Sequence, residues 1–317
     1  VSNYLSEKAR GLIPYVAGIQ PQEPGWIKLN TNENPYPPSP RVLEAISRAD
    51  IGRLRLYPDG DSNTLCQQIA THLPIPAEYV FAANSSDEVL AFAFGGFFSG
   101  KANVMTPDIS YGFYPVWAEM YDAGTNIMPL RADYTIDPHA YKGADGVILA
   151  NPNAPTGIAL SLDKIETIIR QNQDSVVIID EAYIDFAAVE SAVNLVETYE
   201  NLLVIRTFSK SHSLAGLRVG YAVGQPHLID GLQRMKNAFN SYPLDMLAQM
   251  AAAAAISDRA YWDETRSRII QTREQTSYRL CELGYPSLPS QANFLFVRAE
   301  RAKALYDFLL EHKIMVP

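Results

Sequence analysis

Cysteine is scarce in this chain of 317 residues: Cys66 and Cys281 are the whole complement, far apart in sequence. With no CxxC pair and no secretory leader read in it, a disulfide-stapled secreted scaffold is not expected. The two thiols read as small buried hydrophobes in a reducing compartment. Long apolar runs are lacking as well. No stretch approaches the roughly 20 residues that span a bilayer; residues 251–255 are a helical alanine run, and nothing resembles a signal peptide. Basic charge is in deficit, with 26 Lys and Arg against 35 Asp and Glu and a net charge of −9. That balance argues against nucleic acid as a main partner, while local arginines still allow an anionic substrate. A GxxxxGK[ST] loop to cradle a nucleotide is missing too. The expectation is a cytoplasmic protein that binds neither membrane nor nucleic acid.

What is present is ordinary for a globular enzyme: 47% of the residues are apolar and 19% charged, and 317 residues exceed what one core usually holds, so one large domain with a smaller one is expected. From residue 80 to 223 the order apolar strand, polar loop, amphipathic helix repeats, which predicts a parallel sheet with covering helices. Strands are read at 80–83, 104–106, 146–150, 176–179, 202–205 and 219–223. Helices are read at 41–49 with Ser39 as cap, 65–73, 88–98, 163–170, 228–239, 244–256 and 260–283. Residues 290–297 read as the first strand of the small domain, 302–311 as a helix, and 314–316 as the start of a strand.

Chemistry concentrates where these strands end. The run at 202–205 leads into Thr207, Phe208, Ser209, Lys210 and Ser211, with Gly216 and Arg218 following. Most loop lysines are surface residues. Here small hydroxyls and an arginine surround the amine, as a phosphate-bearing ligand requires, and a lysine beside a phosphate site can form a Schiff base with an aldehyde cofactor. Asp180 closes the run at 176–179, where a carboxylate would keep a pyridinium nitrogen protonated. The pair points to pyridoxal 5′-phosphate. After the strand at 80–83 comes Asn84-Ser85-Ser86-Asp87-Glu88, a capping box from Ser85 to Glu88 and equally a helix N-terminus suited to phosphate.

These motifs resemble those of fold-type I pyridoxal-phosphate aminotransferases, and most closely the histidinol-phosphate aminotransferase family. The resemblance covers nearly the whole chain, with several motifs in the right order. It implies an α/β fold: a large domain with a mostly parallel sheet covered by helices, plus a smaller α/β domain from the chain ends. The boundaries expected are an N-terminal arm with part of the small domain at 1–30, the large cofactor-binding domain at 31–260, and an incomplete small domain at 261–317. It implies that Lys210, Asp180 and Tyr183 are catalytic, and that Ser86, Asp87, Ser209 and Arg218 hold the cofactor phosphate with Tyr57 of the partner subunit. Tyr111 would stack on the pyridine ring, and Asn153 with Tyr183 would hold the phenolic oxygen, although Ala154 replaces the asparagine more common before Pro155. Asn34 and Tyr36, in the stiff loop at 28–40, would face the substrate. Phe113 and Tyr114 are read as packing. The implied reaction is transamination between histidinol phosphate, as amino donor, and 2-oxoglutarate, as 2-oxo acid, by a homodimer without a metal. An aromatic-amino-acid aminotransferase or an amino-acid-phosphate decarboxylase would use the same lysine and aspartate. A fold-retaining regulatory protein is the non-enzyme alternative, and it lacks a basic helix-turn-helix here.

Overall fold

The computed structural model describes residues 3–16 and 18–317; Val1, Ser2 and Ala17 of the expected N-terminal arm lie outside the described residues. Strands are β1 (Ile27–Lys28), β2 (Val80–Asn84), β3 (Val104–Pro107), β4 (Thr125–Met128), β5 (Gly146–Ala150), β6 (Val177–Asp180), β7 (Leu202–Thr207), β8 (Val219–Gly224) and β9 (Ile314–Met315). Helices are α1 (Glu7–Gly11), α2 (Pro40–Ser47), α3 (Asn63–His72), α4 (Ser85–Ala93), α5 (Tyr114–Met120), α6 (Leu162–Arg170), α7 (Pro226–Phe239), α8 (Met246–Ser257), α9 (Arg259–Glu282) and α10 (Ala302–Glu311).

Among the described residues the main sheet has the order β2-β8-β7-β6-β5-β3-β4, parallel except that β8 runs against both of its neighbours. Its central strands β5, β6 and β7 are buried along their whole length, which is why they read as continuous apolar runs and not as alternating ones. One face, with Val147, Ile179 and Val204, packs on Ile69 of α3, Ile168 of α6 and Ala251 of α8. The other, with Ile148, Ile178 and Ile205, packs on Leu90 of α4, Trp117 of α5 and Leu232 of α7. Each such aliphatic side chain contributes about 1.5–3 kcal/mol through burial. The parallel strands and β2 all point their carboxyl ends to one edge, where open α/β sheets bind ligands.

A second, two-stranded sheet pairs β1 with β9, so residues from both ends of the chain meet there. Residues 290–297 are not a strand. The Ser290 hydroxyl donates to the Phe294 carbonyl (2.6 Å) and accepts from the Ala292 amide, while Gln291 is tied to Gly157 and Ala188. These local bonds take the place of a ladder, and one isolated bridge, Ser287 to Val297, is left. The edge strand β4 has no core signature in the sequence, because Thr125, Asn126 and Ile127 are exposed. Ser39 precedes α2 without capping it; its hydroxyl is buried and makes no hydrogen bond. Cys66 is buried as expected, but Cys281 is exposed, on the solvent side of the long helix α9. No helix among the described residues is long and apolar enough to cross a membrane.

Candidate active site

The site is built from loops that leave the carboxyl ends of β2, β3, β5, β6 and β7. At the end of β7, Phe208 is driven into the core beside Tyr221. That anchor forces the following residues to turn back over the sheet edge. Lys210 emerges from this turn, and its Nζ donates to the Thr31 carbonyl at 2.8 Å. The Asn34 amide grips the turn by donating to the carbonyls of Lys210 (3.0 Å) and Ser211 (3.2 Å). Lys210 Nζ lies 5.6 Å from the centre of the Tyr183 ring. The Tyr183 hydroxyl accepts from the Asn32 amide at 3.2 Å.

Asp180, the last residue of β6, forms the floor. Its carboxylate accepts from the Tyr114 hydroxyl (2.9 Å) and the Ala182 amide (3.2 Å). Burial pushes its pKa up to about 6 against the opposing effect of those two bonds; Asp87 adds to the rise and Lys210 opposes it. Burial, with the charge of Asp180, also holds the Tyr114 phenol far above its ordinary range, so it stays a donor. Tyr114 therefore belongs to the site and is more than packing. Nothing in the sequence marked it, because a tyrosine among Tyr111, Phe113 and Trp117 looks like core.

The opposite pole is rich in donors and holds Arg218 paired with Asp87. Ser85 follows β2 with φ +75°, so the helical backbone of α4 begins at Ser86. The cap differs from the expected box: the Ser85 hydroxyl accepts from the Asp87 amide (3.0 Å), and Glu88 reaches back to the Asn84 amide (2.7 Å). Arg218, at φ +54°, donates to Ser85 Oγ (2.8 Å) and Asp87 Oδ2 (2.7 Å). The other oxygen of Asp87 accepts from the Tyr111 hydroxyl at 3.0 Å. Two non-glycine residues in left-handed backbone that touch each other are strained, and such strain gathers at binding sites. Gly220 of β8 makes the junction possible: a Cβ there would meet the Ser86 amide nitrogen at 2.1 Å. Gly220→Ala is expected to cost about 3 kcal/mol and to weaken anion binding at this helix end, which thermal unfolding and a phosphate titration would register.

Of the residues singled out from the sequence, Ser86, Asp87, Tyr111, Asp180, Tyr183, Ser209, Lys210 and Arg218 line one open cleft of about 410 Å³. Gln20, Thr31, Glu33 and Thr207 line it too. Burial works to raise the pKa of Glu33, but its bonds to Lys28 and Thr31, with the charges of Lys28 and Lys210, hold it below the usual carboxylate range. Four expected residues are not among the lining. Asn34 is the clamp on the lysine turn, and the Tyr36 ring lies under the Arg268 guanidinium at 5.8 Å. Asn153 is buried with its amide spent on Ile109, Thr156 and Ser110, and Ala154 faces the cleft in its place. Tyr57 is 82% exposed and stacks on Tyr242 at 4.6 Å; its loop is held by buried Lys236, which bonds Gly60 and Asp61. The arrangement suits a ligand with an anionic group at one end, a basic ring nitrogen at the other and an electrophile within reach of an amine.

The comparisons with known proteins agree with this chemistry. The aminotransferase class I and II family matches residues 24–317. Histidinol-phosphate aminotransferase 1 of Bordetella parapertussis is 52% identical over all of this chain and 90% of its own length. Histidinol-phosphate aminotransferase of Brachyspira hyodysenteriae is 46% identical with the same coverage. Among solved structures, histidinol-phosphate aminotransferase from Sinorhizobium meliloti, in complex with pyridoxal-5′-phosphate, superposes with a TM-score of 0.88 over 100% of this chain and 89% of that one, at 23% identity. A cleft that sets a lysine between a buried aspartate and a helix end joined by Arg218, in a chain matched from residue 24 to its last residue, places this protein in the aminotransferase class I and II family.

Proposed function

We propose that the protein is a pyridoxal-phosphate-dependent transaminase that takes the amino group of histidinol phosphate and passes it to 2-oxoglutarate, in histidine biosynthesis. The observation that carries this reading is the placing of Lys210 and Asp180 in one cleft with the Arg218 and α4 anion pole. The chain's own residues fit the cofactor: a buried carboxylate raised to about 6 lacks a full cationic partner, and a protonated ring nitrogen supplies one.

When bound, pyridoxal phosphate contributes an aldehyde that captures amines and a conjugated ring that accepts an electron pair. Lys210 is the amine that would hold that aldehyde, and its Nζ would serve as the base that moves the donor's α-proton. Asp180 keeps the proton on the ring nitrogen, and Tyr114 keeps Asp180 oriented. Arg218, Ser86 and Ser209 bind the phosphate, with Asp87 steering Arg218. Tyr111 would cover the ring, and the Tyr183 hydroxyl would serve the phenolic oxygen. Asn153 would join Tyr183 there only with its bonds to Ile109 and Thr156 broken. Asn34 and Tyr36 shape the substrate side of the Lys210 turn. Residues 31–260 form the cofactor-binding domain, and 1–30 with 261–317 form the smaller one. Turnover of purified enzyme with 2-oxoglutarate tests the substrate: histidinol phosphate is expected to exceed phenylalanine and tyrosine at least about tenfold in kcat/KM, and a preference for either amino acid would overturn the assignment.

The working form in this reading is a cytoplasmic homodimer in which exposed Tyr57 reaches the neighbouring phosphate. A mixed dimer of one Tyr57→Phe chain and one Lys210→Ala chain should then contain one unimpaired site and one site with both defects. If Tyr57 acted within its own chain, both sites would carry a defect. The homodimeric Tyr57→Phe protein, measured first, should lose about 1.5–3 kcal/mol of cofactor affinity.

A further inference from the structure

We infer that Asp185 is a positioning residue for Lys210, acting through a buried chain that runs from Arg206 to Asp185 to Ser211. The carboxylate of Asp185 pairs with Arg206 and accepts from the Ser211 hydroxyl. Asp185 lies two residues past Tyr183, in the loop that follows Asp180, and Ser211 is the residue after Lys210. One side chain thus joins the two loops that carry the chemistry, while itself standing outside the cleft.

The anchor of the chain is rigid. Arg206 sits on β7, in the middle of the sheet, and by alternation its side chain leaves the face opposite Thr207, which lines the cleft. The same guanidinium reaches Glu181 Oε2 at 3.8 Å, and Glu181 is itself fixed by Ser191 and the Ala192 amide, both at 2.6 Å. Arg266 of α9 donates to the Asp185 carbonyl at 3.2 Å, so the backbone of Asp185 is held as well. On the other side of the lysine turn, Asn34 holds the carbonyls of Lys210 and Ser211. The turn is therefore clamped from both sides, one clamp on backbone and one on the Ser211 side chain. Burial works to raise the Asp185 pKa, but the Arg206 guanidinium and the Ser211 hydroxyl outweigh it and hold the group below the usual carboxylate range. Buried ion pairs are often no better for stability than apolar packing. Their value here is geometric, since a misplacement of about 1 Å in a reacting group can cost roughly a hundredfold in rate.

This inference rests on the reading that Lys210 is the reacting amine. Ser211→Ala tests it by removing one hydroxyl while leaving the Arg206–Asp185 pair whole. In the cofactor-free protein, amide exchange over residues 209–214 should quicken roughly tenfold as the turn opens locally. In the loaded enzyme, kcat should fall roughly tenfold with the donor KM within about twofold, and the pH midpoint of the visible absorbance should move. Asp185→Asn should shift all three in the same direction; if that protein does not fold, Ser211→Ala still decides. A lower melting temperature with wild-type exchange, kcat and midpoint would reduce Asp185 to a structural residue and overturn the inference. Borohydride labelling of the wild type separates the two failures. Absence of label at Lys210 defeats the underlying reading, whereas label at Lys210 with an unaffected Ser211→Ala defeats only the positioning role.

Discussion

Lys210→Ala protein is expected to bind pyridoxal phosphate and to have lost about four orders of magnitude of transamination. General acid–base catalysis by one placed group is worth roughly 10²–10⁴, and the proposed function gives Lys210 two tasks, holding the aldehyde and moving the α-proton. Binding should persist because the anion pole is separate from the lysine. Arg218 is fixed by Ser85 and Asp87, and the α4 N-terminus is set by β2 and Gly220; neither depends on the amine. The vacated Thr31 carbonyl, which accepts from Lys210 Nζ in the wild type, borders an open cleft where water can reach it, so little stability is lost. Equilibrium dialysis and single-turnover assays read the two halves of this expectation. Near-wild-type turnover would remove Lys210 from the chemistry, and loss of binding would show that the amine and not the pole carries the affinity.

Asp180→Asn is expected to keep its shape, its fold and the cofactor, yet to slow turnover at least about a hundredfold, or about 3 kcal/mol of transition-state stabilisation. An amide cannot hold a proton on a ring nitrogen by charge. The same substitution has a signature in the cofactor-free protein. Asp180 has its folded pKa raised from 3.8 to about 6, so the stability it contributes is full below pH ~4 and is lost as pH rises through ~6. That window is worth roughly 3 kcal/mol. Glu181, pushed up to about 7 by burial against the pull of Arg206, has the same sign, so the difference between wild type and Asp180→Asn isolates the Asp180 share. Binding a cation at the floor should flatten the wild-type slope. Denaturant midpoints from pH 4 to 8, with and without cofactor, measure all of this. An unchanged slope in Asp180→Asn, with near-normal turnover, would leave Asp180 as a strand terminus only.

The sequence shows the parts of this protein whose signal is local. Strands buried on both faces, such as β5, β6 and β7, announce themselves as apolar runs, and the loops after them announce themselves by Asp180, Lys210 and the serines. What it hides is set by contacts between distant segments. The bond from Tyr114 to Asp180 spans 66 residues, the bond from Lys210 to Thr31 spans 179, and the clamp by Asn34 on the lysine turn spans 176 and 177. A tyrosine in an aromatic cluster and an asparagine in a proline-rich loop give no hint of such partners. The reversed direction of β8 is hidden for the same reason, since an antiparallel strand buried on both faces has the same apolar run as a parallel one. Residues 290–297 mislead in the other direction. The apolar run Phe294-Leu295-Phe296-Val297 suits a strand, but the Ser290 hydroxyl bonds the local backbone in place of a ladder.

The central claim, that Lys210 is the attachment point of pyridoxal phosphate in the cleft floored by Asp180, is tested most directly by reducing the loaded protein with borohydride and sequencing the labelled peptide. One modified peptide is expected, carrying the cofactor on Lys210 between Ser209 and Ser211. Label on any other lysine, or a loaded and coloured protein that yields none at Lys210, would contradict it.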